Sequence, residues 1–282
     1  MPSHSLFNKA SFLFPVRDKP SNTFSMKKKT LTIAVISIMT ITACKKNTQI
    51  NQDAAAAVEA AWSSSDKWAT WSNGGYTIYN DVWGSGAGAQ SIWANSYSNW
   101  GVWANHPNTG GIKSYPNSTK YIGKTLSSLA SCTSSFNVST PSGGAWEATY
   151  DIWDSNNANE TMLWMNYTGT STGSGNVKPI SYNYNSAGSA IPVYTNVTVG
   201  GHTWNVFRGN NGGNNVYSFL RTSKTNSGTV DILAIQNWIK AKGWFGNMTL
   251  GNIQLGFEIT SSYGTNGSGL NFTCNSYSVS SR

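Results

Sequence analysis

From Trp68 to Arg282 short runs rich in apolar and β-branched residues alternate with clusters of turn formers. The runs fall at 76–83, 91–97, 148–153, 160–167, 196–209, 214–223, 252–260 and 269–279. Between them lie G-S-G-A-G, P-N-T-G-G, P-S-G-G, G-T-S-T-G-S-G, G-N-N-G-G and Y-G-T-N-G-S-G. Runs of this length between glycine and asparagine clusters are strands joined by tight turns. One segment differs. Thr229–Lys242 places Val230, Leu233, Ala234 and Trp238 at helical spacing, and Gly243 follows as a C-terminal stop. Many short strands and a single helix predict an all-β sandwich or jelly roll. No repeat with a period of some 20–50 residues argues for a propeller or a β-helix. Residues 66–282 read as one domain.

Composition narrows what such a domain handles. Charged residues are 11% of the chain, and there are 13 Trp, 13 Tyr and 28 Gly. The formal charge of +8 is misleading, because six of the 19 bases and only one of the 11 acids precede Cys44. From Lys45 onward the balance is +3, with no basic stripe to neutralise phosphates, which excludes a nucleic-acid partner. An aromatic, Asn/Ser/Thr-rich surface suits neutral polar ligands.

The N-terminus reads as an address. Residues 26–43 combine Lys27, Lys28 and Lys29 with the apolar run Leu31–Ala43, too short for a span of about 20 residues. The sequence I-T-A-C (41–44) resembles a bacterial lipobox, with Cys44 as the lipidated residue; an ordinary signal peptide with a stray cysteine is the alternative. Residues 1–25 are expected to be an over-extended start, and 44–65 a tether. The expectation is an exported monomer, lipid-anchored in a bacterial cell envelope, that meets the membrane only through the anchor. Cys132 and Cys274 lie in strand-like runs. They can pair as a disulfide only if those strands are neighbours, and two separate buried thiols are the alternative.

The chemistry-bearing residues are few. The chain has four glutamates, Glu59, Glu147, Glu160 and Glu258. Glu160 and Glu258 sit inside apolar strands, where a carboxylate is costly unless it faces a cleft. Alternation puts Glu160, Met162 and Trp164 on one face and Thr161, Leu163 and Met165 on the other. It puts Leu255, Phe257 and Ile259 toward the core and Gly256, Glu258 and Thr260 away from it. If Trp153 and Ala158 close a four-residue loop, Asp151 stands directly across from Glu160. Asp151 would then remain protonated and hydrogen-bond the Glu160 carboxylate. Two carboxyls with aromatics to stack sugars are the parts of a glycosidase. No H-E-x-x-H, cysteine cluster, nucleophile elbow or P-loop competes.

These residues resemble those of glycoside hydrolase family 12. E-T-M-L-W (160–164) is similar to the family's E-x-M-x-W nucleophile strand, and L-G-F-E-I (255–259) to its acid/base strand. Y-N-D-V-W-G (79–84), Y-D-I-W (150–153), V-G-G-H-T-W (199–204) and N-V-Y-S-F (215–219) match further motifs in order. The resemblance implies a β-jelly roll of two curved antiparallel sheets with one helix, and retaining, endo-acting hydrolysis of β-1,4-glucans: cellulose derivatives, mixed-linkage glucan or xyloglucan. It implies Glu160 as nucleophile, Glu258 as acid/base, Asp151 as nucleophile partner, and Asn80, Trp83, Met162 and Trp164 as cleft residues, with no cofactor or metal. A non-catalytic carbohydrate-binding jelly roll and a xylanase of the sister jelly-roll family are the alternatives. Two features depart from the family pattern. The loop between Asp151 and Glu160 is short, and residues 168–195 look expanded.

Overall fold

The computed structural model describes residues 60–282. The expected start extension, signal segment, lipidated Cys44 and all of the tether before residue 60 lie outside the described residues. Fifteen strands form: β1 (Trp62–Ser64), β2 (Thr70–Asn73), β3 (Tyr76–Tyr79), β4 (Ala89–Ser96), β5 (Asn99–Asn105), β6 (Asn117–Thr125), β7 (Cys132–Ser139), β8 (Ala145–Asp154), β9 (Asn159–Tyr167), β10 (Tyr194–Val199), β11 (His202–Asn210), β12 (Asn215–Arg221), β13 (Ser227–Asp231), β14 (Thr249–Ser261) and β15 (Leu270–Ser281). One sheet has six strands in the order β1-β4-β5-β15-β7-β13. The other has nine, in the order β10-β11-β12-β9-β8-β14-β6-β3-β2. The last strand of the chain, β15, therefore lies inside its sheet, between β5 and β7.

The two sheets bury one core between them. Tyr150 and Ile152 of β8, Leu163 and Met165 of β9, and Leu255, Phe257 and Ile259 of β14 enter it from the larger sheet. Trp100, Val102, Phe136, Phe272 and Tyr277 enter it from the smaller one. Each such side chain contributes about 1.5–3 kcal/mol by leaving water. The alternation read from the sequence thus holds on both β9 and β14, and it aims Glu160 and Glu258 at the opposite face.

Turn chemistry sets the strand ends. Gly200 and Gly201 have φ of 63° and 86° and close a two-residue hairpin between Val199 and His202. The single run expected over 196–209 is therefore two strands, β10 and β11. Asp81 has φ of 42°, so the run expected over 76–83 stops at Tyr79 and the chain turns toward the cleft. The helix, α1 (Ile232–Ala241), is shorter than expected: the Asp231 carboxylate accepts from Ala234 N at 3.0 Å and caps it, while Thr229–Asp231 belong to edge strand β13.

Two further expectations are corrected, and one open alternative is decided. The tether ends before Trp62, because Trp62–Ser64 pair with β4 and the Trp62 indole stacks on Trp71 at 6.1 Å. The sheets are not wholly antiparallel, since β12 runs parallel to β9. Cys132 and Cys274 are both buried and free. Their strands are neighbours, but Cys274 stands opposite Val138 and Cys132 opposite Ser281, at different levels of the β7/β15 ladder.

Candidate active site

Three adjacent strands, β9, β8 and β14, carry the carboxyls on the face turned away from the core. Five of the eight acids among residues 60–282 gather there: Asp81, Glu147, Asp151, Glu160 and Glu258. Glu147 stands directly opposite Glu258, and Asp151 opposite Met162. Glu160 stands opposite Trp153. The expected register, with Asp151 facing Glu160, is off by two residues. The hairpin closes at Asp154 and Asn159, where the Asp154 carboxylate accepts from Ala158 N at 2.8 Å and from Asn159 Nδ2 at 2.8 Å. A shift of two keeps both acids on one face. Asp151 is thus diagonal to Glu160, and its Oδ1 is buried without a hydrogen-bond partner, so the expected bond to Glu160 is not formed.

Burial dominates the electrostatics of this cluster. It pushes Asp81 up to about 6, Glu160 to about 7 and Glu147 to about 8. Burial lifts Asp151 well above the usual carboxylate range, with Glu160 and Glu258 as the next causes. Glu258 is also held well above that range, first by burial and then by its neighbour Glu147. Phe257 and Ile259 flank Glu258 in sequence but face the core, so the carboxyl across the strand, and not those apolar side chains, adds to the burial. Environments that drive carboxyls apart in this way assign acid and base. Both carboxyls resist ionisation, but Asn214 favours the carboxylate at Glu160 while Glu147 favours the acid at Glu258.

Two contacts tune Glu160 and Glu258. Asn214, just ahead of β12, donates its Nδ2 to Glu160 Oε2 at 3.1 Å and favours the carboxylate. Parallel pairing of β12 with β9 sets Asn215 beside Asn159 and Val216 beside Glu160, which is what brings Asn214 there. Tyr115 is buried, with its hydroxyl bonded to the carbonyls of Thr149 and Gln254 at 3.4 Å, under the influence of Asp151, Glu258 and Glu160. Its ring lies over Gly256: a Cβ there would meet Tyr115 Cε2 at 2.9 Å and Pro116 O at 2.4 Å. The cleft alongside Glu147 and Glu258 holds about 390 Å³ and is walled by Asn108–Ile112 and by residues 171–178. Lys113 anchors the first wall, donating to Ser85 O at 2.8 Å.

The residues expected to bind sugar divide. Trp83 is 48% exposed, two residues beyond Asp81, and is free to stack. Asn80 is fully buried: it donates to Asp66 O at 2.9 Å and accepts from Gln90 Nε2 at 2.8 Å, so it braces the turn, and its neighbour Asp81 faces the acids instead. Trp164 is only 2% exposed, packed with Met162, Val177, Phe207, Val216 and Leu220. The expanded segment supplies Val177 and packs Ile180 and Ala190 against the same cluster, and so covers Trp164. Met162 is buried in that cluster too, opposite Asp151 on the neighbouring strand. Sequence reasoning missed Asp81, Glu147, Tyr115 and Asn214 as members of the site. Only Glu147 carried a signal: it lies four residues before Asp151 on one strand, an even spacing that puts both on one face. Among the described residues no group of three or more His, Cys, Asp or Glu is arranged to hold a metal ion.

A double sheet whose larger layer carries two buried glutamates on the face turned from the core, one bonded by Asn214 and the other opposite Glu147, has the parts of a glycoside hydrolase. The model of glycosyl hydrolase family 12 matches residues 36–281, and the chain belongs to that family. It is 32% identical over 231 residues to xyloglucan-specific endo-β-1,4-glucanase A of Emericella nidulans, covering 76% of this chain and 89% of that protein. The xyloglucanase domain of NopAA, a type three effector from Sinorhizobium fredii solved with cellobiose, is 56% identical with a TM-score of 0.75, covering 79% of this chain and 99% of that domain. The family 12 xyloglucanase from Bacillus licheniformis is 27% identical with a TM-score of 0.62, covering 78% of this chain and 100% of that chain.

Proposed function

We propose that the protein is an endo-β-1,4-glucanase that cleaves xyloglucan and related β-1,4-glucans with retention of configuration. The observation that carries this reading is a pair of buried glutamates on β9 and β14, the two strands that flank β8, both on the cleft face, with Asn214 donating to one and Glu147 opposite the other. In the first step the Glu160 carboxylate attacks the anomeric carbon while Glu258 gives its proton to the leaving oxygen. In the second, Glu258 takes a proton from water as the water oxygen displaces Glu160 from the sugar. Asn214 holds Glu160 ionised and oriented. A protonated Asp151 beside it removes a second negative charge from the same pocket.

Xyloglucan is put first because the related proteins from Emericella, Sinorhizobium and Bacillus bear that name. The test is release of reducing ends from xyloglucan, mixed-linkage glucan, carboxymethyl-cellulose and xylan, with Glu160→Gln as control. Release from a β-glucan that disappears in the variant supports the reading. Binding on affinity gels with no release overturns it in favour of a carbohydrate-binding protein. The exported, lipid-anchored monomer expected from the N-terminal segment belongs to the same proposal. Fatty-acid labelling that is lost in Cys44→Ser tests its anchor.

A further inference from the structure

Among the described residues, Glu147 is the one buried glutamate that the two-step scheme leaves without work. It stands directly across the β8/β14 ladder from Glu258, both side chains are buried, and both line the same cleft. Glu147 is close enough that its charge raises the proton affinity of Glu258. The second oxygen of Glu147, Oε2, is buried and has no partner. An unpaired buried carboxylate oxygen is costly, so a carboxyl in this position keeps a proton unless something demands otherwise.

We propose that Glu147 is a positioning residue that shares a hydrogen-bonded proton with Glu258, holding it in its acid form before cleavage and steadying its carboxylate afterwards. This rests on the glucanase reading above. When the glycosidic C–O bond breaks, the Glu258 O–H proton moves to the leaving oxygen and the Glu160 oxygen bonds to the anomeric carbon. The O–H of Glu147 then donates to the new Glu258 carboxylate and stays bonded to Glu147. Attack by water returns a proton to Glu258, and Glu147 ends as it began. Burial holds Glu147 up at about 8, which keeps that O–H in place through neutral pH.

The groups around the pair are consistent with this. Asp151 from β8 and Glu160 from β9 add negative charge when ionised, and Tyr115 is held protonated. Tyr167 stands opposite Glu147 on β9, and Lys178 lines the far wall of the cleft. No other acid lies directly opposite Glu258 across either neighbouring strand, since β6 places no residue against it.

The full-length protein allows a test independent of turnover. Its four glutamates give four resonances when the side-chain carboxyl of Glu is labelled with ¹³C, and Glu147→Gln and Glu258→Gln assign two of them. In the unaltered protein the Glu147 and Glu258 signals should titrate together, each in two steps with common midpoints. In Glu147→Gln the Glu258 midpoint should fall by about one pH unit or more, because its like-charged partner is gone and an amide now donates to its charged form. The alkaline limb of kcat/KM should fall by the same amount, and Glu147→Asp should restore both. Independent one-step titrations in the unaltered protein overturn the proposal, even if no variant folds. So does a Glu147→Gln protein that loses activity evenly at all pH values with its limb unmoved. If no β-glucan is cleaved, the glucanase reading fails while the titration still decides the pairing.

Discussion

Asn214 and Glu160 are joined across two parallel strands, Nδ2 to Oε2 at 3.1 Å. This bond opposes the burial that raises the Glu160 carboxyl, and it is the largest influence lowering it. Asn214→Ala should therefore move the acid limb of the kcat/KM profile to higher pH and reduce kcat/KM at pH 6 by about 10-fold or more, the scale of one hydrogen bond to a charged group. A pH–rate series for the two proteins, with unchanged circular dichroism, checks it. An unmoved limb would remove Asn214 from the site.

The two glutamates should fail in different ways. Glu160→Ala should lose activity on every substrate by several orders of magnitude, and a drop under about tenfold would exclude it as nucleophile. Glu258→Ala should lose about 10²–10⁴-fold on polysaccharide, where the leaving oxygen needs a proton. It should lose far less on aryl cellobiosides whose phenol leaves readily. Comparing the two substrate types in both variants separates the roles.

Stability should depend on pH in the direction opposite to that of a salt-bridged acid. Glu160 is raised to about 7 and Glu147 to about 8 in the folded protein. An unfolded glutamate titrates near ~4.3, so the folded state binds more protons between these limits. The contribution is whole below about pH 4 and is lost as pH rises through about 8. Melting temperature measured from pH 5 to pH 9 should fall, and the slope should flatten in Glu147→Gln.

Gly256→Ala should be costly although it adds one methyl. The new carbon would lie 2.4 Å from Pro116 O and 2.7 Å from Asn117 Cβ, contacts between backbone segments that cannot both relax. We expect a loss of about 1–3 kcal/mol in denaturant unfolding, with reduced activity as Tyr115 is displaced. Full stability in this variant would contradict the packing described.

What the sequence makes legible follows from what period-two alternation encodes. It states which face a residue takes, so Glu160, Glu258 and Asp151 were placed on the cleft face and Leu163, Phe257 and Ile259 in the core. It does not state which strand lies beside which. The Asp151 register was off by two because the loop closes on Asp154, whose side chain caps it. Asn214 was invisible because a parallel pair across some fifty intervening residues leaves no local mark. Asn80 and Trp164 were misread because motif position says nothing of burial. Asp66 and Gln90 occupy the first, and Val177 covers the second.

The placement of β15 has a consequence for how this chain is made. Leu270–Ser281 is the last of the fifteen strands yet fills the gap between β5 and β7. Until those last residues emerge from the ribosome, the smaller sheet exists only as two pieces with raw inner edges, each a template for the wrong neighbour. The sandwich can close only once β15 has been made. This also makes Leu270–Ser281 a poor place for truncation, and gives that strand the work of a keystone.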